Sequence, residues 1–275
     1  MNTLKKDRHI AVISALVEGN SIRSVERLTG VHRDTINRLL VRVGKHCDAL
    51  SHLHLRGLKC QRLQLDEIWT YVGKKEDHIT PEDQEAGPGA LGAQYVFVGL
   101  DADTKLAPAY LVGRRNASST RTFLRRLTSR IRGGNDIQVS TDGFGPYTDA
   151  VPAFFGPHVH FAQVVKSFAT EGIGPGRYAP PAVAGMVSTV INGNPDPIHV
   201  STSYVERHNL QMRMCIRRLT RLTNAFSRKL ENLEAAIALY FAHYNFVKIH
   251  GALGMTPAMA AGVARGPWGM AMLVA

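Results

Sequence analysis

Cysteine is scarce in this chain. Its 275 residues hold three, Cys47, Cys60 and Cys215, too few and too scattered for a disulfide framework or a zinc ribbon. Cys47 and Cys60 flank His52 and His54, but that spacing matches no zinc pattern, and packed free thiols account for the pair. Long apolar runs are missing as well. No stretch approaches the roughly 18–20 residues of a membrane span. Residues 1–20 are charged and lack the continuous apolar segment of a secretory signal. The expectation is a cytosolic protein with no membrane partner. Acids are the third shortage: 22 Asp and Glu stand against 33 Lys and Arg, a formal charge of +11. That balance disfavours a basic or cationic partner and favours an anionic one, of which nucleic acid is the commonest. What remains is ordinary. An apolar content of 44% and this length suit one α/β domain with a small appendage.

The few acids make Glu206 conspicuous. In Ser203 to Arg221 it is a single carboxylate among Arg207, Arg213, Arg217, Arg218 and Arg221. On one continuous helix, Val205, Met212, Cys215, Ile216, Leu219 and Leu222 fall on one side, and Glu206, Asn209, Arg213, Arg217 and Arg221 on the other. The apolar side can dock on a core. A carboxylate inside a row of guanidiniums suits an acid that holds a metal ion beside a polyphosphate chain; the plain alternative is that Glu206 pairs with a nearby Arg.

At the amino terminus, residues 5–18 read as an amphipathic helix with Ile10, Ile13, Leu16 and Val17 inward. Gly19-Asn20 ends it, and Ser21 caps a short second helix, Ile22 to Thr29, with Val25 and Leu28 inward. Gly30 turns the chain into a third helix, His32 to Val43, burying Ile36, Leu39, Leu40 and Val43. Two short helices about a glycine turn follow the helix-turn-helix plan. His32, Arg33, Asn37 and Arg38 then face outward, and Arg and Asn make bidentate bonds to guanine and adenine edges in a major groove. A helical bundle that binds nothing is the plain alternative. Residues 1–44 form this unit in the sequence reading, and the His-rich 45–61 a linker.

From Leu63 the pattern changes to strands: LQLDEIWTYV, Tyr95 to Leu100 and Ala107 to Val112, with a polar loop from Lys74 to Gln94 between the first two. A helix near Ser119 to Arg132, a strand Ile137 to Thr141, another helix and a strand Val159 to Val165 follow. Three antiparallel strands, then helix, strand, helix, strand, is the order of an α/β ribonuclease-H-like fold. Asp142-Gly143 sits at a strand's carboxyl end, where open α/β sheets put their sites. Acids inside strands are costly unless they coordinate something. Asp66 is one such acid, although periodicity does not choose between it and Glu67. Asp101 and Asp103 look like hairpin-turn residues. Asp66, Asp142 and Glu206, on separate elements, are the candidates for holding two divalent ions, Mg²⁺ by preference, that drive in-line phosphoryl displacement.

The residues Asp66-Glu67-Ile68-Trp69, Ser140-Thr141-Asp142-Gly143 and Tyr204-Val205-Glu206-Arg207, with Asn209, Leu210 and Arg213, carry a resemblance. So do Asn194-Pro-Asp-Pro, Tyr244-Asn245, His250 and Thr256-Pro257-Ala258. Together they resemble the DDE transposases of bacterial insertion sequences, in the group typified by insertion sequence one. The resemblance implies a mixed RNase-H-like sheet flanked by helices behind an N-terminal helix-turn-helix. It also implies Asp66, Asp142 and Glu206 as catalytic, metal-binding triad for two Mg²⁺ or Mn²⁺ ions, with Arg213 as the basic residue two turns after the Glu. The partners it implies are terminal inverted repeats and target DNA, bound by a homo-oligomer near the bacterial nucleoid, with Arg213 and Arg217 on the DNA. Many relatives carry a four-cysteine zinc module that the three cysteines here do not form, and Glu26 stands where helix-turn-helix patterns favour a small residue. A catalytically inactive DNA-binding regulator, and a nuclease that cuts without joining, are the rival readings.

The catalytic domain is expected over 62–250 and a tail over 251–275. Residues 169–200, rich in Gly and Pro, read as an insertion without periodicity. Leu230 to Phe246 is apolar nearly all round and reads as a buried helix; Thr256-Pro257 opens a short terminal helix. His243, His250, Trp69 and Trp268 read as packing residues.

Overall fold

A computed structural model describes residues 4–86, 90–133, 136–168, 183–221 and 223–274. Three helices open the chain: α1 (Lys6–Val17), α2 (Ile22–Thr29) and α3 (Arg33–His54). Ser21 accepts the backbone N–H of Ser24 as the N-cap of α2, and Gly30 closes α2 at φ 66°, a left-handed conformation that suits glycine. Glu26 has a job that a small residue cannot do. Its carboxylate accepts the Arg33 N–H at 2.9 Å and so caps the start of α3. Leu28, expected inward, is 70% exposed, because Val25 alone of the α2 residues is buried against α1 and α3.

The stretch 45–61, expected as a linker, is helical through His54. Gly44 is the reason. It lets α3 lie directly on α8 (Leu230–Ala242): a Cβ there would fall 2.5 Å from Cα of Ala235. Farther along, Asp48 accepts the Tyr110 hydroxyl at 2.8 Å and also bonds Arg126. One rod therefore runs from the amino-terminal helices onto the sheet.

That sheet contains β1 (Arg62–Val72), β2 (Gly92–Asp101), β3 (Ala109–Gly113), β4 (Gln138–Thr141), β5 (His160–Phe168) and β6 (Val183–Asn192), in spatial order β3-β2-β1-β4-β5-β6. The β1, β4 and β5 neighbours are parallel and the other pairs antiparallel. The chain is thus mixed α/β, compatible with a ribonuclease-H-like sheet. Helix α4 (Pro81–Ala86) lies between β1 and β2, while α5 (Ala117–Thr128) and α6 (Pro146–Phe155) bracket β4. Strand alternation sends Leu63 and Leu65 to the face packed with Phe123, Leu127 and Tyr147. Ile68, Val98 and Leu100 go to the other, under α7 (Ser203–Cys215), α8 and the amino-terminal helices.

Two further expectations change. Within 169–200 the chain forms β6, paired antiparallel with β5; its Met186, Val187 and Val190 are exposed, so no burial pattern marks it in sequence. The first part of that insertion, 169–182, lies outside the described residues, as does Leu222. The expected tail folds back: α9 (Pro257–Ala260), capped by Thr256, leads to α10 (Met270–Leu273), whose Leu273 is buried with residues of α1 and α3. No helix among the described residues is long and apolar enough to cross a membrane.

Candidate metal centre

The last parallel pair of β1 and β4 is Leu65 with Thr141. Strand β1 runs on past that point while the chain leaves β4 at Asp142. A notch opens at the carboxyl end of β4, and Asp66 and Glu67 line its β1 side. Ligand oxygens of Asp66, Glu67 and Asp142 all lie within 4.8 Å of one another. Glu67, which periodicity did not separate from Asp66, therefore belongs to the cluster.

Each acid is held from a different element. Asp66 accepts the Asn209 amide of α7 at 2.8 Å. Glu67 accepts Arg115 Nε at 3.0 Å and the Tyr147 hydroxyl of α6. Asp142 accepts its own loop's Phe144 N–H at 3.0 Å and an Arg115 N–H at 3.3 Å. The Arg115 guanidinium also lies 3.9 Å from the Phe144 ring centre, which fixes its plane between the two acids.

Glu206 stands outside that triplet, one turn before Asn209 on the same side of α7. It accepts Lys166 of β5 at 2.6 Å and the Thr202 hydroxyl at 2.6 Å. Its charge still reaches Asp66. Burial first, then Asp142 and more weakly Glu206, push the Asp66 carboxyl up to about 6. Glu67 is pushed up to about 7, chiefly by burial, with Asp142 adding to it.

The continuous arginine row does not form. Helix α7 ends at Cys215 and a short 3₁₀ turn, Arg217–Leu219, follows. Of the expected row, the α7 part tracks β1: Asn209 reaches Asp66, and Arg213 donates to the Trp69 carbonyl at 3.3 Å and the Leu219 carbonyl at 3.0 Å. Those carbonyls, not an acid, hold Arg213, and burial lowers its guanidinium to about 10. Arg217 is exposed, whereas Arg218 turns inward to Ser227 and Asn37. On α3, Arg33 and Arg38 are exposed, and His32 is the N-cap, accepting the Asp34 N–H. Asn37 is half-buried, its oxygen taken by Arg218 and its amide by the Arg33 carbonyl.

The donor set fits a hard divalent cation. Four carboxylates, Asp66, Glu67, Asp142 and Glu206, meet two cations, Arg115 and Lys166. Burial chiefly raises Asp66 and Glu67, with Asp142 adding to it, and oxygen-only ligands suit Mg²⁺ or Mn²⁺. Sequence reasoning missed Arg115, Lys166 and Tyr147. None has a spacing that ties it to an acid, since each arrives through strand order alone.

No protein-family model matches the chain, and no curated protein matches it. Among solved structures, the crystal structure of the Mos1 strand transfer complex is similar over 56% of this chain and 56% of that chain. The identity is 14% and the TM-score 0.23, so the functional reading rests on the residues.

Proposed function

We propose that the chain is a metal-dependent DNA transposase, with Asp66, Asp142 and Glu206 holding two Mg²⁺ or Mn²⁺ ions. The observation that carries this reading is the notch at the end of β4, where the carboxylates of β1 and of the turn after β4 crowd together and burial raises Asp66. The bound ions supply activation of the attacking oxygen and stabilisation of the leaving one during in-line phosphoryl displacement. The chain's own groups do the positioning. Asn209 holds the Asp66 carboxylate and so docks α7, with Glu206 one turn away, over β1. Arg115 and Lys166 pair with Asp142 and Glu206 and would turn to phosphate oxygens where the acids take up cations. Water attacks the phosphorus at each element end and breaks the P–O3′ bond, freeing a 3′-hydroxyl and leaving a 5′-phosphate on the flank; that hydroxyl attacks a target phosphorus, and the target's own 3′-hydroxyl leaves.

Helices α2 and α3 act as the helix-turn-helix that reads the terminal repeats. Arg33 and Arg38 make its contacts, His32 and Asn37 lie beside them, and Arg217 adds a phosphate contact. Arg213 acts from behind by fastening α7 to β1. The working form is a homo-oligomer on DNA.

One observation favours the second reading, an inactive DNA-binding regulator: Asp66, Asp142 and Glu206 each already hold an amide or a cation of the chain. Asp142→Asn separates the two. It keeps the shape and removes one negative charge from the proposed ligands. The wild type cuts and joins end-bearing DNA in Mg²⁺, and the variant binds those ends but loses both steps by orders of magnitude. A wild type without activity leaves the regulator, and a variant that cuts at full rate removes Asp142 from the ligands.

A further inference from the structure

A second cavity, of about 470 Å³, lies on the other flank of α7. Lys105, Arg207, Lys248 and His250 line it together with His208, and its described lining contains no carboxylate. The nearest acids of the adjoining turn are engaged elsewhere: Asp101 accepts Thr104, and Asp103 pairs with Arg62. His208 is 3% exposed, and neither of its ring nitrogens has a hydrogen-bond partner; Nδ1 of His250 has none either. Buried polar atoms left unpaired are costly, so they mark a place shaped for something that pairs with them.

The cations are held there against cost. Lys105 is the single described non-glycine residue with positive φ, 58°, a conformation that stores strain. Its carbonyl accepts the Tyr244 hydroxyl at 2.8 Å. Two residues on, Ala107 exchanges two 3.0 Å bonds with the buried Asn245 amide. Both Tyr244 and Asn245 belong to a π turn, His243–Val247, that ends α8, and such turns recur at functional sites. The pose sets the Lys105 ammonium 3.2 Å from the Tyr204 ring centre. Burial, then Lys105, Arg207 and Lys248, hold the His250 imidazole below its usual range, which places three like charges about one ring.

From this geometry we infer that the cavity binds a nucleoside phosphate, its phosphate among Lys105, Arg207 and Lys248 and its base against Tyr204 and the apolar wall of Leu100 and Ile249. Lys105 donates to the Ala102 carbonyl, yet none of the three cations has a described carboxylate partner, which suits a phosphate dianion. The volume falls within the roughly 300–1,000 Å³ of small-molecule sites and exceeds what a bare phosphate fills. The nucleoside phosphate can be free or the end of a strand. The site uses none of the acids at β4.

Titration calorimetry of the full chain in EDTA, which removes any metal-borne phosphate binding, tests this. The probes are dAMP, a 5′-phosphorylated single-stranded octanucleotide and inorganic phosphate. We expect dAMP or the octanucleotide to bind at least tenfold tighter than phosphate; dAMP binding assigns a free nucleotide, and octanucleotide binding alone assigns a strand end. The exposed pair Arg207→Gln with Lys248→Gln weakens that binding at least tenfold. So does Lys105→Gly, which keeps the backbone pose without the ammonium. Asp142→Asn leaves it unchanged, so the fate of the transposase reading does not decide this one. No heat with either nucleotide, equal affinity for phosphate, or indifference to folded charge variants overturns the assignment.

Discussion

At the residue scale, the acid notch trades stability for readiness. Asp66 and Glu67 are raised to about 6 and about 7, chiefly by burial, against about 3.9 and 4.3 in an unfolded chain. The native state therefore binds more protons between those limits. Their contribution to stability is fully present below about pH 4 and is lost as pH rises through 6 to 7. In EDTA, Asp66→Asn is expected to stabilise the chain at pH 8 by on the order of 1–3 kcal/mol and to do little at pH 4. Urea unfolding at the two pH values measures it. Equal effects at both, or destabilisation at pH 8, would contradict the crowding described. Legibility at this scale is uneven. Asp66, Asp142 and Glu206 stand out because one lies inside a strand, one follows a strand's carboxyl end and one is a lone acid among arginines. Arg115, Lys166 and Tyr147 do not, because a counter-charge is chosen by three-dimensional proximity and leaves no period in the chain.

At the scale of elements, sequence patterns mark β1 to β5 and most helix starts, where a cap or an alternation is local, but not β6. They fail where long-range packing decides. Glycine disfavours helix interiors, so the pattern stops α3 at Gly44; instead Ala235 of α8 occupies the place of its missing side chain. Gly44→Ala should gain up to about 1 kcal/mol of helix propensity. The clash at 2.5 Å reverses the sign, and a net loss of roughly 1–3 kcal/mol is expected. A urea midpoint at or above wild type would show that α3 and α8 lie farther apart. The pattern also overruns α7. Its apolar side continues in sequence, but Arg213 and the Thr220 hydroxyl close the end by bonding across the turn. On α2 and α3, Arg33→Ala with Arg38→Ala removes two exposed charges. For the proposed transposase, binding to element ends should weaken and its log–log salt slope should flatten by about two, one for each phosphate no longer neutralised. An unchanged slope removes these residues from the interface.

On the whole-molecule scale, the rod α3 sets what the chain does with distance. A flexible linker after residue 44 lets a reader and a cutter find each other at many separations. The 22 residues of α3 instead span roughly 33 Å, close to the 34–36 Å of one turn of duplex DNA. Its far end is pinned to β3 and α5 through Tyr110 and Arg126. For the proposed transposase, inserting five base pairs between the bound repeat and the scissile bond turns that bond to the opposite side of the duplex. Cleavage should collapse while binding stays; inserting ten restores the side but not the separation, and also fails. Cutting that tolerates the five-pair insertion would mean α3 does not transmit position. If it does, the helix serves as a gauge: the cutting point is an address counted off from the reading point, so the DNA needs no second sequence to mark it.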